Sequence, residues 1–301
     1  PPPPPFSSRR RHTRCQIQSR GLGDVYKRQI VTGGLRGLGQ AITWGLAAAG
    51  HAVLAVGHLP EDVDPFQDEA KRREKAKTVK PLCADIRQPG ECDRVIATAL
   101  ETFGSADILV NNAGLTFTYI WPDKYRRSEP MRFWQTSDDV VQNVIDTNYV
   151  AADQMARRIA PLCVEQGWGR IINVTTKLST MNQEGALPYG ASKAALEMAT
   201  EVWALEAAGT GLTVNIVNPG AGANTPGMAE EMRTWSAEGS KPRLVEPDEM
   251  VPPLLWVVSE AANDITGWRY DANNWDASIP PDAAHARHGA KAGMRLHPGA
   301  H

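Results

Sequence analysis

Tyr189 and Lys193 stand four residues apart at the start of a run with helical character, so their side chains project from one face. That spacing sets an ammonium beside a phenol. A tyrosine with a pKa near ~10 is a poor base at neutral pH, but a neighbouring cation favours its phenolate and makes it a usable acid/base. Taken alone, Tyr-x-x-x-Lys is also the spacing of an ordinary exposed helix pair. A second feature is Thr32-Gly33-Gly34-Leu35-Arg36-Gly37-Leu38-Gly39, which follows the apolar pair Ile30-Val31 and precedes the helical run Gln40 to Ala49. Glycines there let the backbone turn sharply and approach a pyrophosphate held on the N–H groups of a helix N-terminus. A lone glycine turn is an ordinary tight loop; between a strand and a helix it predicts nucleotide binding.

These residues need a scaffold, and its pattern is regular. Ile30-Val31, Val53 to Val56, Ile108 to Val110, Ile171 to Val174 and Leu212 to Val217 are short, β-branched-rich runs without strict alternation, as in strands buried on both faces. Between them lie helix-length stretches at 38–49, 66–78, 89–103, 139–166 and 189–207. The repeated order predicts an α/β fold with one open, doubly wound parallel sheet. The charge run at 68–77 (DEAKRREKAK) mixes both signs and reads as a solvated helix face.

Composition narrows the function classes. The 301 residues are 42% apolar and 22% charged, enough for a sizeable core. The formal charge of −2 offers no electrostatic case for nucleic acid or an anionic membrane. The longest apolar stretch, Val251 to Val258, holds two prolines and falls far short of the ~18 residues of a spanning helix. Cys15, Cys83, Cys92 and Cys163 are scattered without Cys-x-x-Cys, so neither zinc nor a disulfide framework is expected, and a cytoplasmic setting is. Residues 1–28 carry seven Lys/Arg against Asp24 and begin with five prolines; they are expected to be non-native or disordered, leaving a body of charge 25 − 33 = −8. Residues 279–301 hold four of the seven histidines among Ala, Gly and Pro. His285 and His288 are three apart, yet nothing completes a metal set, so a disordered tail is expected there too.

TGGLRGLG at 32–39, Asp85, NNAG at 111–114, Asn148 in DTNYVA, IINVTT at 171–176, YGASK at 189–193 and NPG at 218–220 recur in order. With them the chain resembles the single-domain branch of the short-chain dehydrogenase/reductase family, over about residues 30 to 275. The resemblance implies a Rossmann-type domain at 29–278 that binds a nicotinamide dinucleotide. It puts Gly33, Leu35, Arg36, Gly37, Leu38 and Gly39 at the cofactor-binding turn, and Asp85 with Ile86 by the adenine. Asn111, Asn112, Ala113 and Gly114 would lie beside the adenosine ribose and support the fourth strand, although Asn-Asn is also turn chemistry. Tyr189 and Lys193 would touch the cofactor too, with Pro219 and Gly220 near the nicotinamide. A family threonine expected five residues after that proline is Asn224 here, which leaves Thr225, one residue on, for the role.

For catalysis the resemblance implies Tyr189 as acid/base, helped by Lys193 and the positive ring of an oxidised nicotinamide. The hydroxyl thirteen residues before the tyrosine, usually a serine, is Thr176, which keeps the donor and acceptor and adds a methyl group. Thr175 is the runner-up, and both residues also suit β-branched packing at a strand end. Asn148 would hold a water linking Lys193 to bulk, unless it is a helix-surface amide. An acidic residue closing the second strand would favour NAD, but Gly57 and His58 stand there and Arg36 sits in the turn. NADP(H) is therefore expected, with NAD(H) as the other cofactor.

The segment Leu115 to Ser137 carries Phe117, Tyr119, Trp121, Phe133 and Trp134, able to cover a substrate or to bury a subunit contact; Met228, Met232 and Trp235 could form an adaptable wall. The expected function is an NADP(H)-dependent oxidoreductase interconverting a secondary alcohol and a carbonyl on a small apolar or cyclic substrate. The alternative is a nucleotide-sensing regulator on the same fold, which would have no need of the Tyr189–Lys193 pair. Family practice implies a homodimer or homotetramer built on helices 139–166 and 189–207, through Ala151, Ala152, Ala156, Ala160, Ala195, Ala199 and Ala204, unless these face the chain's own sheet.

Overall fold

A computed structural model describes residues 27–293. The expectations for residues 1–26 and 294–301 lie outside the described residues. Eight strands run β1 (Arg28–Thr32), β2 (Ala52–Gly57), β3 (Val79–Cys83), β4 (Ile108–Asn111), β5 (Gly169–Asn173), β6 (Leu212–Asn218), β7 (Trp268–Asp271) and β8 (Ala290–Lys291). Their order in the sheet is β3-β2-β1-β4-β5-β6-β7-β8. Every pair is parallel except β7 with β8. The order reverses between β1 and β4, so a crevice opens beyond their carboxyl ends.

The helices are α1 (Gly37–Ala48), α2 (Val63–Arg72), α3 (Glu91–Phe103), α4 (Phe117–Ile120), α5 (Asp138–Ile145), α6 (Ala151–Gln166), α7 (Leu178–Met181), α8 (Tyr189–Glu206), α9 (Glu230–Ala237), α10 (Val251–Val258) and α11 (Pro281–His288). Successive strand residues point to opposite faces, so Ile30 joins a core with Val95, Met155 and Ile159 of α3 and α6. Val31 joins the other core, with Ile42, Leu46 and Leu254 of α1 and α10. Buried runs on both faces are why the strands lack a polar alternation.

Three expectations change. The helix read at 139–166 is α5 and α6 joined by a π-helical turn at Asp146–Val150 that buries Asn148. The helix expected at 66–78 stops at Arg72, and Glu74 takes φ 57°. Its charges pair with one another at the surface while Ala70 is buried. Ala151, Ala152, Ala156 and Ala204 face the chain's own core. The exposed apolar side chains of α6 and α8 are instead Val164, Met198, Val202 and Leu205.

Neither end begins where the composition suggested. Arg28 opens β1, its N–H donating to Asp107 at 2.8 Å, and Lys27 lies over the Trp168 ring at 3.7 Å. Residues 279–293 were expected outside the fold, yet α11 and β8 pack on it. His285 stacks on Trp256 with centroids 4.9 Å apart, and its Nδ1 pairs with the Tyr270 hydroxyl at 2.9 Å. Small residues hid this docking, because its anchors, Ala284 and Ala292, give no apolar stripe in sequence.

Candidate functional site

The carboxyl ends of β4, β5 and β6, with the start of α8, surround a cavity of about 280 Å³. Leu38, Asn112, Gly114, Thr176, Tyr189, Lys193, Pro219 and Thr225 all line it. The first turn of α8 brings Lys193 under Tyr189, where its Nζ donates to the Val174 carbonyl at 2.8 Å. Thr176 and Tyr189 share one wall of this cavity. Burial pushes the Tyr189 phenol up to about 12, against a smaller lowering from the Thr176 side chain. Burial also pushes the Lys193 ammonium down to about 8. Within the protein's own groups, desolvation therefore outweighs the lowering of the phenol that the spacing predicted.

Asn148 is a buried tie rather than a surface amide. Its Nδ2 donates to Leu115 O at 3.1 Å and Ser192 Oγ at 2.9 Å, and its Oδ1 accepts from Leu115 N at 2.7 Å. The π-helical turn swings it inward, as such turns often do at functional sites. Gly114 lies between Asn148 and Lys193: a Cβ there would sit 3.3 Å from Asn148 Oδ1 and 3.4 Å from Lys193 Nζ.

A smaller cavity, about 50 Å³, continues past Gly33, Ala113, His58, Asp85 and Ile86. The glycine turn joins the two. A Cβ on Gly39 would stand 2.1 Å from Gly33 O, so α1 approaches the turn as only glycine allows. No side chain caps α1, whose first N–H groups have no partner within the helix. Uncapped donors beside a side-chain-free turn fit an anionic pyrophosphate. Gly220 (φ 75°) is likewise required, since its Cβ would fall 2.0 Å from Asn273 Oδ1.

Other expected residues are placed differently. Leu35 is buried, and a Cβ on Gly57 would meet it at 2.7 Å; it packs and lines neither cavity. Arg36 and Gly37 face a separate shallow groove with Gln40, Trp44 and Asp62, where Arg36 Nε is 3.8 Å from Asp62. Arg36 and His58 are thus not in one cavity. Arg87 grips the Asp85 carboxylate through Nε (2.9 Å) and Nη2 (2.7 Å) and holds it down to about 2. Asn111 cross-ties Asn173 and Ala152 in the core. Thr225 lines the larger cavity, while Asn224 turns to Glu246 and Arg233. Lys177 is exposed.

Among the loop aromatics, Phe117 packs on Tyr189 with centroids 4.7 Å apart, whereas Tyr119, Phe133 and Trp134 are exposed. Met228 lines the cavity; Met232 and Trp235 do not. Sequence reasoning quoted Thr32 in the glycine turn but gave its side chain no role; its hydroxyl accepts from the N–H groups of Asn112 (3.0 Å) and Ala113 (3.1 Å). It also missed Tyr125, Thr180 and Gln183 in the wall. Thr32 opens the glycine turn and was within reach of local reading; Tyr125 in a 3-10 turn, Thr180 in the single turn of α7 and Gln183 just after it belong to pieces too short for a periodic signal.

Residues 27–237 match the short chain dehydrogenase family. The acetoacetyl-CoA reductase of Allochromatium vinosum is 28% identical over 81% of this chain and 96% of its own length. The 1,6-dihydroxycyclohexa-2,4-diene-1-carboxylate dehydrogenase of Pseudomonas putida is 31% identical over 79% of this chain and 88% of its own. A solved 3-ketoacyl-(acyl-carrier-protein) reductase of Brucella melitensis, complexed with NADH, shares the fold with a TM-score of 0.67, at 24% identity over 82% of this chain and 95% of its own. Among the described residues no helix is long and apolar enough to cross a membrane, and no cluster of His, Cys, Asp and Glu is arranged to hold a metal. Sheet order, glycine turn and matched residues agree: the chain belongs to the short-chain dehydrogenase family and is one of its NAD(P)-dependent oxidoreductases.

Proposed function

We propose that this enzyme uses NADP(H) to interconvert a secondary alcohol and a carbonyl, with Tyr189 as acid/base and Thr176 orienting the substrate oxygen. The observation that carries this reading is the convergence of Thr176, Tyr189 and Lys193 on one cavity wall, with Lys193 one helical turn from Tyr189. Gly33, Gly37, Leu38 and Gly39 would hold the pyrophosphate, and His58, Asp85, Ile86, Asn112, Ala113 and Gly114 the adenosine half. Pro219, Gly220 and Thr225 would flank the nicotinamide. The bound dinucleotide supplies a ring that accepts or donates hydride. Arg36 would reach a 2′-phosphate from the neighbouring groove, where its long side chain is half exposed and would leave Asp62 for the phosphate; Gly57 closes β2 and His58 follows it, where an acidic residue would oppose a 2′-phosphate.

Tyr189 delivers its phenolic proton to a carbonyl oxygen in reduction and removes the hydroxyl proton in oxidation. With its phenol pushed up by burial, it is protonated at neutral pH and poised as an acid. Lys193 supplies positive charge close to the tyrosine as the phenolate forms, and Asn148 holds the Leu115 backbone against the same turn. Phe117 and Met228 offer apolar contact, and Thr116, Thr118, Thr180 and Gln183 offer polar contact. That mixture suits a small cyclic or acyl substrate carrying a polar group, a chemistry in keeping with the two named relatives. The exposed Val164, Met198, Val202 and Leu205 support assembly through α6 and α8 into a dimer or tetramer. Free thiols at Cys83, Cys92 and Cys163 support a cytoplasmic setting.

The test is Tyr189→Phe, assayed by nicotinamide absorbance over a panel of ketones and alcohols. Loss of only the ionisable oxygen should lower kcat by at least about 100-fold. NADPH affinity, read by fluorescence, should stay within about twofold. Turnover within a few-fold of the parent would refute the assignment.

A further inference from the structure

Behind the catalytic wall lies a charged cluster that no step above uses. Arg269 of β7 and Glu197 of α8 are buried, at 5% and 0% exposure, and are joined by Nη1···Oε1 at 3.1 Å. The guanidinium reaches further: its Nη2 donates to the main-chain carbonyl of Thr176 and to Asp271 Oδ1, both at 3.1 Å. Asp271 Oδ1 accepts from Asn218 Nδ2 at 2.8 Å, and Asn218 Oδ1 accepts from Gly220 N at 2.9 Å. On the other side, Glu197 Oε2 accepts from the Thr175 hydroxyl at 3.0 Å.

A buried ion pair is weak evidence for stability, because desolvating two charges offsets their attraction. Its retention here needs another reason, and the wiring supplies one. The hydroxyl-bearing segment after β5 and the glycine turn after β6 are held by one guanidinium. A planar fork with several donors at fixed angles sets such a relative position better than a flexible ammonium does.

We infer that Arg269, braced by Glu197, is a positioning residue that sets the Thr176 hydroxyl against the Pro219–Gly220 turn and so aligns the reacting oxygen with the cofactor. This rests on the roles proposed above for Thr176 and Gly220. Thr175 owes its place to the same cluster: its hydroxyl is spent on Glu197, which leaves Thr176 as the free donor at the cavity. Small displacements of such groups are expensive, since about 1 Å of misplacement can cost about 100-fold in rate.

The test is a double-mutant cycle on kcat with Arg269→Lys and Thr176→Val in the full chain, and with Tyr189→Phe run alongside. Arg269→Lys should lower kcat about tenfold when Thr176 is present, and by no more than about threefold in the Thr176→Val background, because the group it positions is already gone. A ratio between the two losses above about threefold supports the inference; a ratio at or below that overturns it, since a purely structural role would cost the same in both backgrounds. Should Arg269→Lys prove unfolded in a thermal melt, Glu197→Gln, which keeps volume and hydrogen bonding but removes the charge, takes its place in the cycle under the same criterion. An active Tyr189→Phe or a fully active Thr176→Val would instead defeat the reading of the site itself.

Discussion

Lys193→Met is expected to stabilise the protein at neutral pH while abolishing turnover. Lys193 is 4% exposed, and burial lowers its pKa from 10.5 to about 8. A depressed lysine pKa means the folded state disfavours the ammonium relative to the unfolded chain. Below pH 8 both states are charged and the full cost applies; between pH 8 and 10.5 the unfolded chain binds more protons than the folded one, so wild-type stability rises with pH. The difference of about 2.5 pH units corresponds to about 3 kcal/mol at about 1.4 kcal/mol each. Methionine has similar length and no charge, so the variant escapes this cost but loses the charged bond to Val174 O, worth about 1.5 to 3 kcal/mol. A net gain of up to about 2 kcal/mol at pH 7 should remain, turning into a loss by pH 10.5. Urea unfolding of both proteins at pH 7 and pH 10.5 measures the difference, in which every other titrating group cancels. A variant destabilised at pH 7, or a difference equal at the two pH values, would refute the burial argument.

Arg36→Ala should weaken NADPH binding more than NADH binding, by a factor of about ten or more, as a charge-assisted phosphate contact is worth about 1.5 to 3 kcal/mol; titration of both cofactors decides it, and equal weakening would leave Arg36 to its exposed pairing with Asp62. Ending the chain at residue 278 removes α11 and β8, uncovers Trp256 and Tyr270 and leaves β7 without its outer partner. The melting temperature should then fall by about 5 °C or more, since about 1 kcal/mol shifts a domain of this size by about 2–4 °C. An unchanged melt would mean that this segment adds nothing to the fold.

What the sequence determined by itself was whatever a few neighbouring residues impose. Gly39 must be glycine because the turn and helix touch there, and Tyr189 and Lys193 share a face because a helix repeats every 3.6 residues. The doubly wound sheet was legible for the same reason: strands buried on both faces announce themselves as short apolar runs. Where burial is one-sided the signal faded, as at β3, an edge strand carrying Lys80 and Pro81, and at β8, only two residues long. Tertiary structure decided everything that depends on which elements become neighbours. Glu197 and Arg269 are 72 positions apart and meet only because β7 lies beside β6, under α8. Arg36 and His58, both read as phosphate partners, fall into different cavities because the turn points one away from the other. The direction of the Tyr189 pKa was likewise undecidable from spacing, since a neighbouring charge lowers it and burial raises it. Only the depth of the pocket determines which of the two prevails.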